Sequence, residues 1–71
     1  MVNVNKLKAK LVEQGMNVES FATVTGLTKA TIYRRFNSPE EITIEEADKM
    51  ANALSISAHE AVAIFFAQYV A

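Results

Sequence analysis

The amino-acid sequence predicts an all-α fold, a compact bundle of five helices that forms one domain over residues 1–71. Apolar side chains recur at the three- and four-residue spacing of amphipathic helices. Helix-ending or helix-starting residues at Gly15, Gly26, Pro39 and Ser57 separate five such stretches. The 71 residues are 51% hydrophobic, which is enough for one hydrophobic core. They include no cysteine, so no disulfide can stabilise that core.

The first helix is predicted from about Asn5 to Gln14, and Gly15 ends it. Leu7 and Leu11 face inward, with Val4 as a further candidate. Its outward positions carry three lysines: Lys6, Lys8 and Lys10.

Residues 17–37 are predicted to form two short helices joined by a glycine turn. Asn17 is placed to cap the first of them through its side-chain oxygen. Gly26 ends that helix, because a residue without Cβ can take the left-handed conformation of a helix C-terminus. The buried stripe between these two residues has the spacing i, i+3, i+4 and i+7 and consists of Val18, Phe21, Ala22 and Thr25.

The second helix of this pair begins after Thr28, whose hydroxyl can cap it. Ile32 and Phe36 form its apolar face. Its opposite face is polar and basic, and it holds Lys29, Tyr33 and Arg34.

Capping boxes at residues 43–46 and 57–60 open the fourth and fifth helices. The preceding helix stops before Pro39, since proline has no donor and pushes the residue before it out of the α region. Residues 40–42 are expected to be a loop. The fourth helix is predicted to bury Ile44, Ala47, Met50 or Ala51, and Leu54.

The fifth helix, at residues 58–70, is predicted to be a dimerisation helix because its apolar surface is wider than one small core can cover. Phe65 is assigned to the core, and Ile64 lies outside both main apolar faces. The predicted interface residues are Phe66, Tyr69 and Val70. The alternative is that this helix packs wholly into the core of the monomer.

The net charge of −1 averages two unlike halves of the chain. Residues 1–36 hold six basic and two acidic side chains, a balance of +4, whereas residues 37–71 hold one basic and six acidic, a balance of −5. One side of a small domain can therefore face phosphates while the other is acidic and solvated. The alternative is that both charge runs are only solvated helix faces.

The sequence favours neither catalysis nor a cofactor. His59 is the only histidine and lies in a capping box, which makes a poor metal site. Gly15 and Gly26 are the only glycines, so no phosphate-binding glycine loop exists. The first eleven residues alternate polar and apolar side chains, unlike a signal peptide, and the fifth helix is too short to span a bilayer. We therefore expect a cytoplasmic protein with no membrane association, no small-molecule ligand and no metal.

The spacing of Ala22, Gly26 and Ile32 resembles the helix-turn-helix of lambda repressor-like and Cro-like DNA-binding domains, in particular short prophage-type transcriptional regulators. A small residue at Ala22 lets the second helix approach, Gly26 makes the turn, and Ile32 anchors the recognition helix. The chain departs from the family pattern at Arg35, where an aliphatic residue is more usual, and Phe36 takes the apolar contact instead.

This resemblance implies a transcriptional regulator, a repressor, that binds double-stranded DNA as a homodimer on a pseudo-palindromic operator. The helix at residues 28–37 would read the major groove. The expected base-facing residues are Lys29, Ala30, Thr31, Tyr33 and Arg34. The expected phosphate contacts are Asn17, Thr28, Arg35 and one or more of Lys6, Lys8 and Lys10.

Two other functions fit the same residues. A helical protein–protein interaction module would use the apolar surface of the fifth helix and keep the helix-turn-helix as scaffold. A small antitoxin would bind both DNA and a toxin. DNA binding through phosphates weakens steeply with salt, whereas an apolar contact barely changes.

Overall fold

The computed structural model describes residues 1–69, within which five α-helices follow one another. Short 3-10 turns at Pro39–Glu41 and Ala67–Tyr69 follow the third and fifth helices, and the first of them overlaps the predicted loop at residues 40–42. The predicted all-α, five-helix fold is confirmed. The helices are α1 (Val4–Glu13), α2 (Val18–Thr25), α3 (Lys29–Asn37), α4 (Ile44–Leu54) and α5 (Ala58–Phe65).

The core takes at least one buried side chain from every helix. Burying a large apolar side chain contributes about 1.5–3 kcal/mol, and α2 is central because it packs against both α3 and α4. The largest fully buried side chains are Phe21, Leu7, Ile32, Met50 and Leu54.

The turn between α2 and α3 has the predicted geometry. Gly26 has φ of +78° and its N–H donates to the Ala22 carbonyl at 2.9 Å. The buried Thr25 hydroxyl donates to the Phe21 carbonyl at 2.8 Å and accepts from the Leu27 N–H at 3.2 Å. Ala22 itself is only 8% exposed, so the side of α2 next to this turn has no space for a larger side chain.

Both predicted capping boxes are present. The Thr43 and Ser57 hydroxyls accept from the N–H groups of Glu46 and Glu60, whose carboxylates accept in return from the N-cap N–H groups. A third reciprocal cap, between Asn17 and Ser20, opens α2. Sequence reasoning found the Asn17 cap but not its partner, because a serine replaces the usual acidic residue.

Helix α5 is shorter than predicted. The expected helix continued to residue 70, but α5 ends at Phe65 and the chain turns at Phe66. The N-terminal segment is the physical reason. The Asn3 N–H donates to the Ile64 carbonyl at 2.7 Å, and the Ala67 N–H donates to the Met1 carbonyl at 3.1 Å. Both backbone groups are thus diverted from a continuing α-helix.

Two isoleucines were assigned to the wrong environment. Ile64 is buried in the core, not outside the main apolar faces, because that side of α5 packs against α1. Ile44 was expected to be buried but is 70% exposed. It is the first residue of α4 and borders the open cleft between α4 and α5, so the buried line of α4 begins one turn later, at Ala47.

Candidate nucleic-acid interface

The outer face of α3 is polar, basic and exposed. Its fully buried Ile32 holds the opposite face against the core, and Phe36 is half-buried beside it. The side chains that this arrangement leaves exposed are Lys29, Ala30, Tyr33 and Arg34. A helix projecting such a face from a small domain has the form needed to enter the major groove.

Two consecutive hydrogen bonds between side chains run along this face. The Thr28 hydroxyl caps α3 and donates to the Thr31 hydroxyl oxygen at 3.0 Å. The same oxygen accepts from Arg34 Nη2 at 3.2 Å. Thr31 is partly buried, and its hydroxyl is hydrogen-bonded to the exposed guanidinium of Arg34. The Thr28 hydroxyl is used within the helix start.

Lys29 lies beside an acidic side chain from α2. Its Nζ is 3.9 Å from Glu19 Oε2, and both side chains are exposed. An ion pair so exposed is worth little and dissociates readily. Lys29 consequently keeps its charge available to an incoming ligand.

One groove joins α1 to α3 and brings three predicted site residues together. Lys8, Asn17 and Tyr33 border it, and the Lys8 Nζ lies 5.5 Å from the centre of the Phe36 ring. This distance is within the range of a cation–π interaction. Lys8 is therefore the lysine of α1 that lies next to the recognition helix.

The other two lysines of α1 lie elsewhere. Lys6 and Lys10 border the groove between α1 and α5. Lys10 Nζ donates to Glu60 at 2.7 Å and to Glu13 at 3.2 Å, and its side chain is mostly buried. The structure therefore shows Lys10 in two ion pairs within the protein, and its expected phosphate contact stays a prediction.

Arg35 is also engaged within the protein. Its Nε and Nη2 donate to the two carboxylate oxygens of Glu46 at 2.8 and 3.0 Å, and its Nη1 is 3.6 Å from Glu41. The side chain is 18% exposed. These contacts connect α3 to the acidic start of α4, and the expected contact of Arg35 with a phosphate stays a prediction.

These two ion pairs shift the pKa of their members. The hydrogen bond from Arg35 lowers the pKa of Glu46, and that from Lys10 lowers the pKa of Glu60. In return, the bond to Glu46 raises the pKa of Arg35, and the bonds to Glu60 and Glu13 raise the pKa of Lys10. Sequence reasoning missed both glutamates as partners, although their position in capping boxes marks them as fixed carboxylates.

Comparison with known proteins agrees with this geometry. A sequence model of the helix-turn-helix family matches residues 7–60, a span from α1 into α5 that contains the whole of α2 and α3. The chain belongs to the lambda repressor-like helix-turn-helix family. It is therefore a DNA-binding helix-turn-helix regulator. No curated protein and no solved structure matches it significantly.

This helix-turn-helix protein also exposes apolar side chains away from α3. Ile44, Val62 and Phe66 border the α4–α5 cleft, and Tyr69 is exposed on the 3-10 turn that follows. Phe65 is buried while Phe66 is 38% exposed, which is the predicted order of the two rings. Val70, the third expected dimerisation residue, lies outside the described residues.

No helix within residues 1–69 is long and apolar enough to cross a bilayer. Among these described residues, no group of three histidine, cysteine, aspartate or glutamate side chains is arranged to hold a metal ion.

Proposed function

We propose that this protein is a sequence-specific transcriptional repressor that reads the major groove with α3. The observation that carries the proposal is the division of α3 into a buried face held by Ile32 and an exposed basic face. Lys29 or Arg34 can donate to guanine O6 and N7, and Ala30 or the Thr31 methyl can touch a thymine methyl. Tyr33 contacts base or backbone.

Phosphate contacts are assigned to the residues that surround α3. Lys8 and Asn17 border the same groove as Tyr33, and the first turn of α2 has N–H groups without intrahelical partners. Lys6 faces the α1–α5 groove and stays a weaker candidate. Repression needs only that the bound domain exclude polymerase from an overlapping promoter.

The protein is proposed to bind as a homodimer through the α4–α5 cleft and Tyr69. These exposed apolar side chains form a surface suited to association. A two-fold dimer would place two copies of α3 about 34 Å apart, in successive major-groove half-sites. A different protein partner would use the same apolar surface. Self-association is the hypothesis that accounts for both this apolar surface and the basic face of α3.

Selection from a random DNA pool, followed by binding at increasing salt, tests this function. We expect enrichment of one two-fold sequence and a steep loss of affinity with salt. Lys8→Ala should weaken specific and non-specific binding alike and make the salt slope shallower by about one. Lys6→Ala is the matched control and should have the smaller effect. Failure to enrich any sequence would refute the proposed function.

A further inference from the structure

Arg35 meets carboxylates of its own chain at all three guanidinium nitrogens. Two parallel bonds to Glu46, at 2.8 and 3.0 Å, form a fork, and Glu41 faces the third nitrogen at 3.6 Å. A planar fork fixes direction as well as distance, which a lysine cannot do. The geometry therefore holds Arg35 in one orientation.

Glu46 is itself held in place. Its Oε1 also accepts from the Thr43 N–H at 3.1 Å as part of the capping box of α4. The carboxylate is thus attached to the beginning of α4, and Arg35 attaches the C-terminal part of α3 to the same point.

Helix α3 has few buried side chains that could fix its rotation about its own axis, here called roll. It packs against α2 and the Pro39–Glu41 turn, and Ile32 is its only fully buried side chain among the described residues. Phe36 is packed only partly against the core, so the roll of α3 is expected to depend on further contacts as well. Side chains end about 5–6 Å from a helix axis, so a roll of about 10° moves their tips by about 1 Å. That displacement is enough to break hydrogen bonds to base edges.

We propose that Arg35 is a positioning residue, which sets the roll of α3 through Glu46 and thereby the base preference of Arg34 and its neighbours without contacting DNA. The inference rests on the proposed function. Attraction to phosphates acts over longer distances and tolerates a change of roll. Loss of the Arg35–Glu46 ion pair is therefore expected to weaken specific DNA binding and to leave non-specific DNA binding unchanged.

Glu46→Gln tests the inference, because Glu46 lies outside the proposed contacts and its amide oxygen can still accept the Thr43 N–H. The matched control is Glu45→Gln, which removes the same charge from an adjacent, exposed residue. Dissociation constants for the selected site and for an unrelated duplex are measured at several salt concentrations, at a temperature where circular dichroism shows every variant folded.

We expect Glu46→Gln to weaken specific binding about tenfold, the size of one lost base contact, with unchanged non-specific affinity and salt slope. Glu45→Gln should change neither. Arg35→Lys keeps the charge but loses the fork, so it should reproduce the loss of specificity, and it serves as the test if Glu46→Gln does not fold. Arg35→Gln combined with Glu46→Gln should lower the specificity ratio no further than Glu46→Gln alone.

The outcomes separate the two proposals. A wild-type protein without sequence preference refutes the proposed function. A wild-type protein with a preference that Glu46→Gln and Arg35→Lys both retain refutes the positioning role alone. Loss of specific and non-specific affinity together in Arg35→Gln, with a shallower salt slope and no effect of Glu46→Gln, would assign Arg35 to a phosphate instead.

Discussion

At the scale of single residues, Thr31 shows how the exposed face of α3 is ordered before DNA arrives. Its hydroxyl oxygen accepts from both Thr28 and Arg34. Long side chains lose conformational entropy when they are fixed on binding. A guanidinium bonded to Thr31 has lost part of that freedom already, so we expect the hydroxyl of Thr31 to contribute to DNA binding through Arg34, apart from any contact of its methyl group.

Arg34→Ala should weaken binding to the selected site by roughly 1–3 kcal/mol and relax preference at one base pair, with the fold intact. Thr31→Val keeps the methyl group and removes the hydroxyl, and should lose part of the same energy. Thr31→Ser keeps the hydroxyl and should bind like the wild type. Gel-shift titrations with single-base variants measure these effects. If Thr31→Ser is the weaker variant, the methyl contact matters and the hydroxyl does not.

At the scale of helices, the α2–α3 pair depends on close approach at Ala22. This residue lies in the buried stripe of α2 and is followed by the Gly26 turn. Helix axes approach most closely where side chains are small. We therefore expect Ala22 to determine the separation of α2 and α3, and with it the projection of α3 from the domain.

Ala22→Leu should overpack this contact and lower the free energy of unfolding by roughly 1–3 kcal/mol. Ala58→Leu makes the same substitution at an exposed residue in the first turn of α5 and is the matched control. Thermal and urea melts followed by circular dichroism give both values. An Ala22→Leu protein as stable as the control would contradict the assignment of Ala22 to the centre of the helix-turn-helix.

At the scale of the whole molecule, ion pairs of Lys10 and Arg35 connect the basic N-terminal half with the acidic C-terminal half. Lys10 binds Glu60 and Arg35 binds Glu46. The basic side chains left on the surface are consequently fewer than composition indicates, and Lys8, Lys29 and Arg34 carry the charge near α3. The same two pairs make the stability of the domain depend on pH.

The pKa values of Glu46 and Glu60 are lowered from the ordinary 4.5 by their cationic partners. The unfolded carboxyls therefore bind protons at higher pH than the folded ones do. Their stabilising effect is complete above about pH 4.5 and is lost as the pH falls through the folded pKa values. Urea melts between pH 7 and pH 3 should show this loss.

The double variant Glu46→Gln with Glu60→Gln should have a weaker dependence of stability on pH over that range. A control with the same net charge is Glu40→Gln with Glu45→Gln, both at exposed residues. It should keep the wild-type dependence. Identical slopes in the two double variants would show that the ion pairs contribute no pH dependence.

The proposed self-association is also tested at the scale of the whole molecule. Phe66→Glu places a charge in the α4–α5 cleft and should shift sedimentation from dimer to monomer, with little change in melting temperature because Phe66 is partly exposed. Val24→Glu, on the exposed side of α2, should remain dimeric. A wild type that stays monomeric at high concentration, both free and on DNA, would end the dimer proposal. Unfolding of Phe66→Glu would instead place this ring in the core.

The five helices and the residues at which they begin could be predicted from the sequence because they depend on interactions within one or two turns. Capping boxes join residues three apart, buried stripes repeat every three or four residues, and Gly26 acts through its own backbone angle. The outward face of α3 follows from the same periodicity, since Ile32 indicates which side is buried. Local chemistry therefore determined the fold and the candidate reading face.

Tertiary structure alone decided which lysine and arginine side chains pair with carboxylates of the same chain, and where α5 ends. Lys10 and Glu60 are 50 positions apart, and the Ile64 carbonyl meets the N–H of Asn3 from the other end of the chain. Periodicity within a helix carries no information about which side chain of another helix faces it. For this reason the sequence did not indicate that Arg35 and Lys10 meet carboxylates of the same chain. Only the tertiary structure, which brings the start of α4 to Arg35 and α5 to Lys10, shows these ion pairs.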